Sequence, residues 1–120
     1  RALDIRERQL GSDHPHTALS LNNLAALYQS QGKYESAEPL LQRALDIRER
    51  QLGSDHPHTA TSLNNLAWLY RERGQYAEAL PLYQRALEIW RKVLGEQHPS
   101  TQDVMKSIAI VTEKLSNPPP

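Results

Sequence analysis

The feature that most constrains the fold of this 120-residue chain is an internal repeat of 42 residues. When residues 1–42 are aligned with residues 43–84, 32 of the 42 positions are identical. A fixed period of this length is typical of a repeat architecture, in which each unit buries its apolar face only against its neighbours. The repeat therefore predicts a single domain built from similar stacked units.

Each repeat contains two stretches whose apolar residues recur with helical spacing, separated by a glycine that suits a helix C-terminus. Polar loops with a proline separate one repeat from the next, and the proline fits the first turn of the following helix. The pattern predicts an all-α fold of about six antiparallel helices. They are expected near residues 1–11, 15–31, 34–52, 57–73, 76–94 and 100–115.

The repeat also divides the chain. We expect residues 1–11 to be the second helix of a truncated repeat, 12–53 the first full repeat, 54–95 the second, 96–117 a C-terminal capping helix and 118–120 a proline tail. Because residues 1–10 match residues 43–52 without a change and lack a first helix, we expect the chain to be a piece of a longer array. The high internal identity fits recent duplication or a designed consensus array.

Composition excludes several function classes. The 14 basic and 14 acidic side chains give a formal net charge of zero, which argues against general binding to nucleic acid or a membrane surface. No apolar run approaches the roughly 20 residues that span a bilayer. The chain has no cysteine, so disulfides and thiolate catalysis are excluded. A reducing compartment is permitted by this composition without being proven, and the location that we expect is the cytoplasm.

Small and aromatic residues recur at fixed positions of both full repeats. They are Leu24, Ala25, Tyr28, Gly32, Tyr34, Ala37 and Ala44, with Leu66, Ala67, Tyr70, Gly74, Tyr76, Ala79 and Ala86. This pattern resembles the signature of tetratricopeptide repeats, whose usual period is about 34 residues. The longer period here is similar to that of kinesin light chain repeats. The resemblance implies an α-α superhelix whose first helices line a concave groove, and a non-catalytic scaffold that binds a peptide or protein partner.

Adjacent asparagines lie in the middle of the first helix of both repeats, at Asn22 and Asn23 and again at Asn64 and Asn65. Asparagine is a mediocre helix former, so its recurrence needs a reason. One interpretation is that these amides bond the backbone of an extended peptide, as the resemblance to light-chain repeats also implies. The alternative is that one amide of each pair only fixes the packing of neighbouring helices.

Another column of equivalent positions holds Ala26, Trp68 and Ile110. Trp68 and Ile110 are candidates for an apolar pocket that anchors a ligand, although Trp68 has the alternative of packing against a helix. Arg71 and Lys106 are predicted beside this pocket and would favour an acidic ligand, or they are ordinary solvated charges. For Trp90, which replaces an arginine, we expect packing against the last helix.

Loop histidines are the remaining candidates for chemistry: His14, His16, His56, His58 and His98. Two histidines two residues apart suit zinc, but a site needs three or four ligands, so we predict no metal site and no cofactor. Neither a catalytic triad nor a phosphate-binding loop is visible, so we predict no enzyme. The second functional hypothesis is self-association, either head-to-tail or as a swapped dimer, through the N-terminal end.

Overall fold

The computed structural model describes residues 15–117, and these residues form five α-helices and no strand. In chain order the helices are α1 (Pro15–Ser30), α2 (Tyr34–Leu52), α3 (Pro57–Glu72), α4 (Tyr76–Leu94) and α5 (Pro99–Ser116). The all-α class is confirmed. Six helices were predicted, and the sixth, at residues 1–11, lies outside the described residues, as do His14 and the prolines at 118–120.

Proline and histidine together start two of these helices. Pro57 and Pro99 occupy the first turn, where a missing N–H costs no hydrogen bond. The preceding His56 and His98 are the N-caps, and each accepts a hydrogen bond on Nδ1 from a backbone N–H two residues later, at 3.0 and 3.1 Å. Because the cap satisfies an otherwise unpaired donor, the polar loop sets where the helix begins.

Glycine closes the first helix of each repeat. Gly32 and Gly74 have φ angles of +76° and +75°, in the left-handed region that residues with a Cβ rarely adopt. The N–H of the next residue, Lys33 or Gln75, then bonds back to a tyrosine carbonyl at 2.8 Å. This turn places α1 beside α2 and α3 beside α4.

Alanine allows the two helices of a hairpin to approach closely. Ala25 on α1 and Ala37 on α2 are both fully buried in one cluster, and Ala67 on α3 and Ala79 on α4 repeat the arrangement. A larger side chain at these positions would push the helix axes apart. The alanines of the repeat signature therefore set the spacing within each hairpin.

The core continues from one hairpin to the next. Leu66 and Leu69 of α3 pack in the same cluster as Ala37 and Leu41 of α2, so the second unit closes the apolar face of the first. Farther along, Val104 and Val111 of α5 pack against α3 and α4. Stacking of this kind is what the sequence period predicts.

The two junctions between units differ in chemistry. At the first, Nη1 of Arg48 on α2 donates to the hydroxyl of Ser62 on α3 at 3.1 Å. At the second, the equivalent positions are Trp90 and Val104, which are both buried in one apolar cluster. Trp90 therefore packs with the last helix, as predicted, and its Nε1 donates to the carbonyl oxygen of Pro57 at 3.2 Å. Arg48 and Ser62 are both replaced at the second junction, which indicates that the two side chains of the pair depend on each other.

None of the helices in residues 15–117 combines the length and the apolar character that a bilayer crossing requires.

Candidate functional site

Helices α1, α3 and α5 occupy equivalent places in successive units, and we call them the first helices. Each has a stripe of side chains, spaced three or four residues apart, that its neighbours leave partly or fully exposed. The middle of the stripe is Asn23 and Ala26 on α1, Asn65 and Trp68 on α3, and Ser107 and Ile110 on α5. We call this surface the groove wall.

Two large apolar side chains remain accessible on the groove wall. Trp68 is 52% exposed and Ile110 is 40% exposed, at equivalent positions of α3 and α5, and Ala26 is exposed at the same position of α1. Trp90, by contrast, is 6% exposed. Trp68 is therefore not buried against a neighbouring helix, which was one of the two alternatives for it. Trp90 is the tryptophan that is buried in this way.

The asparagine pairs do not behave alike. Asn22 is 8% exposed, and its Oδ1 is buried without a hydrogen-bond partner, whereas Asn23 is exposed. Asn64 and Asn65 are both half-buried, and Lys106, which corresponds to Asn22 and Asn64, is exposed. Exposure at the position shared by Asn22, Asn64 and Lys106 therefore increases from α1 to α5. Another first helix follows α1 and α3 in the stack, but no described helix follows α5. The amide of Asn22 is thus nearly closed off, and that of Asn23 is the accessible one.

Arg71 lies near a residue that the sequence analysis missed. Tyr83 on α4 is 1% exposed, and the side chains of Arg71 on α3 and Ser107 on α5 lie close enough to its hydroxyl to affect its pKa. Burial raises the pKa of Tyr83, and Arg71 and Ser107 oppose that increase. Tyr83 therefore lies between two first helices beneath the groove wall.

A sequence signal for Tyr83 existed. The equivalent residue in the first repeat is Leu41, and this is one of the ten positions at which residues 1–42 and 43–84 differ. Arg71 is another, since Gln29 occupies its place in the first repeat. Gln29 has a different partner, because its Nε2 donates to Oε1 of Glu72 at 2.9 Å and links α1 to α3. Paired changes of this kind mark side chains that contact each other.

Charges of both signs border the apolar residues. Arg71 is half-buried and Lys106 is exposed, and Glu72 and Glu113 are exposed on the same helices. The charges around Trp68 on these helices are therefore of both signs, and neither sign dominates. Within residues 15–117 no group of three or more histidine and carboxylate side chains is arranged to hold a metal ion.

The sequence model of the tetratricopeptide repeat family matches residues 1–50, 21–89 and 70–119. The chain belongs to the tetratricopeptide repeat family. Such repeats generally mediate protein–protein interaction or scaffolding, and the fold is typically non-catalytic. The surface of α1, α3 and α5 in this tetratricopeptide array is therefore the part of the molecule to consider for partner binding.

Solved structures agree with this assignment. The crystal structure of nearly identical TPR-like repeats, assigned to a kinesin light chain of Podosopora anserina, superposes with a TM-score of 0.87 at 31% sequence identity. The match covers 95% of this tetratricopeptide array and 54% of that chain, so this array spans about half of its length. A single-substitution variant of the same protein gives the same TM-score at 30% identity and the same coverage.

The crystal structure of BtubC (BKLC) from P. vanneervenii shows the same fold, with a TM-score of 0.79 at 24% identity. That match covers 87% of this tetratricopeptide array and 41% of the other chain. No curated protein matches the sequence significantly. The kinesin light chain-like character predicted from the long period is thus confirmed at the level of fold and repeat type.

Proposed function

We propose that this array is a non-catalytic scaffold that binds an extended peptide segment of a protein partner along the groove wall. The observation that carries the proposal is the 52% exposure of Trp68 beside the 40% exposure of Ile110, on successive first helices. Exposed large apolar side chains that share one surface mark a candidate interaction site. Aromatic anchors are also the residues that dominate binding energy at protein interfaces.

The roles follow from accessibility. Trp68 and Ile110 are the apolar anchors, and the small Ala26 leaves room for a ligand side chain at the equivalent place on α1. Asn23, Asn64 and Asn65 supply amide donors and acceptors to the peptide backbone. Asn22 acts indirectly, since it is nearly closed off between units. Arg71 and Lys106 supply positive charge at the border of the apolar patch.

The experiment is a selection of linear peptides from a random library displayed on phage, followed by affinity measurements on the purified chain. We expect selected peptides to lose at least about tenfold in affinity on Trp68→Ala, a change of about 1.4 kcal/mol. The matched control is Val93→Ala, which removes a similarly exposed apolar side chain (48%) from α4, outside the groove wall. Selected peptides whose affinity is unaffected by Trp68→Ala, Ile110→Ala and Asn65→Ala would contradict the assignment.

A second candidate function is self-association, and Leu27 on α1 favours it. Leu27 is 52% exposed, whereas the equivalent Leu69 and Val111 are fully buried against the preceding unit. Leu69 packs in one cluster with Ala37 and Leu41 of the unit before it, so a helix pair of the same kind from a second copy would cover Leu27 in the same way. Sedimentation velocity tests this candidate, because a chain that stays monomeric at high concentration does not self-associate.

A further inference from the structure

A pocket of about 690 Å³ opens at the junction between the first and second units, on the side of the inter-repeat loop. Four structural elements contribute to it: α1, α2, the loop before α3, and the start of α3. The lining residues that matter for its chemistry are His16, Leu19, Arg48, His56, His58 and Thr61. Nothing in the proposed function of the groove wall has used this pocket.

The pocket contains a buried cation that has no counter-charge among the described residues. Arg48 is 7% exposed, and its Nη1 donates to the carbonyl oxygen of His58 at 3.2 Å and to the hydroxyl of Ser62 at 3.1 Å. Both acceptors are neutral, and within residues 15–117 no carboxylate forms an ion pair with this guanidinium. Removing a charge from water costs free energy that is normally offset by an opposite charge. The remaining donors of Arg48 are those expected to meet an anion.

The rest of the described lining adds donors and no acid. Three imidazoles contribute to it, from His16, His56 and His58. Nδ1 of His56 accepts the cap hydrogen bond from the N–H of His58, so the ring proton of neutral His56 is on Nε2, which is a donor. The rings of His56 and His58 are in edge contact, with centroids 4.9 Å apart. The described lining thus contains no carboxylate, and the guanidinium of Arg48 and Nε2 of His56 are donors that suit an oxyanion.

The pocket lies about one helical turn from the groove wall. Leu19 lies four residues, or about one helical turn, before Asn23 on α1. Thr61 holds the same position relative to Asn65 on α3. A segment that passes along the groove wall over the asparagines and continues one turn toward the helix N-termini therefore reaches this pocket.

We propose that the pocket is a subsite for a carboxylate side chain of the partner segment, held by Arg48 and the neighbouring imidazoles. The inference rests on the proposed function, because it adds an acidic position to the peptide that the groove wall binds. The second junction lacks the required residues, since the positions of Arg48, His58 and Thr61 are taken by Trp90, Ser100 and Asp103. One array therefore offers one acidic subsite among its described junctions.

The second junction of the same chain shows which substitutions to use for the test variant. The double substitution Arg48→Trp with Ser62→Val copies the second junction, where Trp90 and Val104 already pack in this fold. It removes the charge and replaces it with a combination that the repeat accommodates. Circular dichroism and thermal unfolding show whether the variant remains folded, and if it does not, Arg48→Gln takes its place.

The probe is acetylated and amidated tetraglutamate, with tetraglutamine as the neutral control. Binding to the full chain is followed by the NMR signals of the histidine rings and by titration calorimetry. We expect tetraglutamate, but not tetraglutamine, to shift the His56 and His58 signals, with an affinity that falls as salt is added. The charge-removed variant should bind about tenfold more weakly.

The outcomes separate the pocket from the groove wall. Unshifted histidine signals, or equal binding by the wild type and the charge-removed variant, would overturn the subsite. If Trp68→Ala lowers the affinity of library-selected peptides but removal of the Arg48 charge does not change the affinity of tetraglutamate, the groove function holds and the subsite fails. If removal of the Arg48 charge lowers the affinity of tetraglutamate but Trp68→Ala does not change the affinity of selected peptides, the subsite holds and the groove assignment fails.

Discussion

The guanidinium of Arg73, the residue directly after α3, forms a 2.7 Å ion pair with the carboxylate of Glu38 on α2, across the boundary between two units. The hydroxyl of Tyr70 donates to the same carboxylate at 2.9 Å, and Nε2 of Gln42 donates to it at 3.2 Å. Glu38 is therefore the centre of a polar network that joins the first hairpin to the second. Leu80 replaces Glu38 in the next repeat, so the second junction has no equivalent network.

The first prediction is that Glu38 and Arg73 are energetically coupled. The two side chains are 29% and 25% exposed, so solvent screens part of their attraction, and we expect a coupling free energy of about 0.5 to 1 kcal/mol. Urea unfolding of Glu38→Ala, Arg73→Ala and the double variant measures it. Additive losses would show that the pair contributes nothing specific to the junction.

The second prediction concerns a closely packed alanine in the first hairpin. Ala44 is fully buried beside Leu21 and Ile47, so Ala44→Leu overpacks the cluster and should lower the free energy of unfolding by about 1 to 3 kcal/mol. The matched control is Ala26→Leu, the same substitution at an exposed site on α1, which should change stability by less than about 0.5 kcal/mol. Similar losses for both variants would mean that burial at Ala44 is not what limits side-chain size.

Much of the scaffold could be predicted because the repeat supplies local signals twice. Periodic apolar residues, Gly32 and Pro57 gave helix boundaries within one or two residues, and α2 and α4 match their predicted ranges. These signals are local, since a helix stripe, a left-handed turn and a first-turn proline each depend on residues close in sequence.

The groove wall was harder to predict because burial depends on which unit follows. Asn22 and Lys106 occupy equivalent positions, yet Asn22 is 8% exposed and Lys106 belongs to the exposed residues, since another first helix follows α1 and no described helix follows α5. Tyr83 and Arg71 lie near each other on different helices, and no local pattern encodes this proximity. Comparing the differing positions of the two repeats in pairs, instead of singly, was the available signal for it.

The third prediction tests the histidine caps. Because Nδ1 of His56 accepts the N–H of His58, His56→Ala should lower stability by about 0.5 to 2 kcal/mol and speed amide hydrogen exchange in the first turn of α3. His56→Asn restores a cap acceptor and should recover most of the loss. An alanine variant with unchanged exchange in that turn would show that the ring nitrogen does not cap the helix.

The fourth prediction distinguishes the two tryptophans. In Trp90→Phe the remaining indole is Trp68, which is half exposed, and in Trp68→Phe it is the buried Trp90. Acrylamide should therefore quench the fluorescence of the Trp90→Phe variant much more strongly, and its emission should lie at longer wavelength because water surrounds more of the ring. Equal quenching of the two variants would contradict the burial difference on which the groove proposal depends.

The fifth prediction is a pH dependence that comes from His58. Burial lowers the pKa of His58, and the positive charges of Arg48 and then His56 lower it further. The unfolded chain, with an ordinary histidine pKa of about 6.5, therefore binds more protons than the folded chain just below that pH. The stabilising contribution of neutral His58 is fully present above about pH 6.5 and is lost as the pH falls through its folded-state pKa.

Because Arg48 is one of the causes, Arg48→Gln should raise the pKa of His58 toward its ordinary value, as measured from the NMR titration of its ring protons. Ser62→Ala is the matched control, since it removes one hydrogen-bond acceptor of Arg48 but keeps the charge, and it should leave the titration of His58 where it is in the wild type. A His58 pKa that does not rise in Arg48→Gln would show that the guanidinium charge does not reach the pocket, and the carboxylate subsite would lose its main electrostatic support.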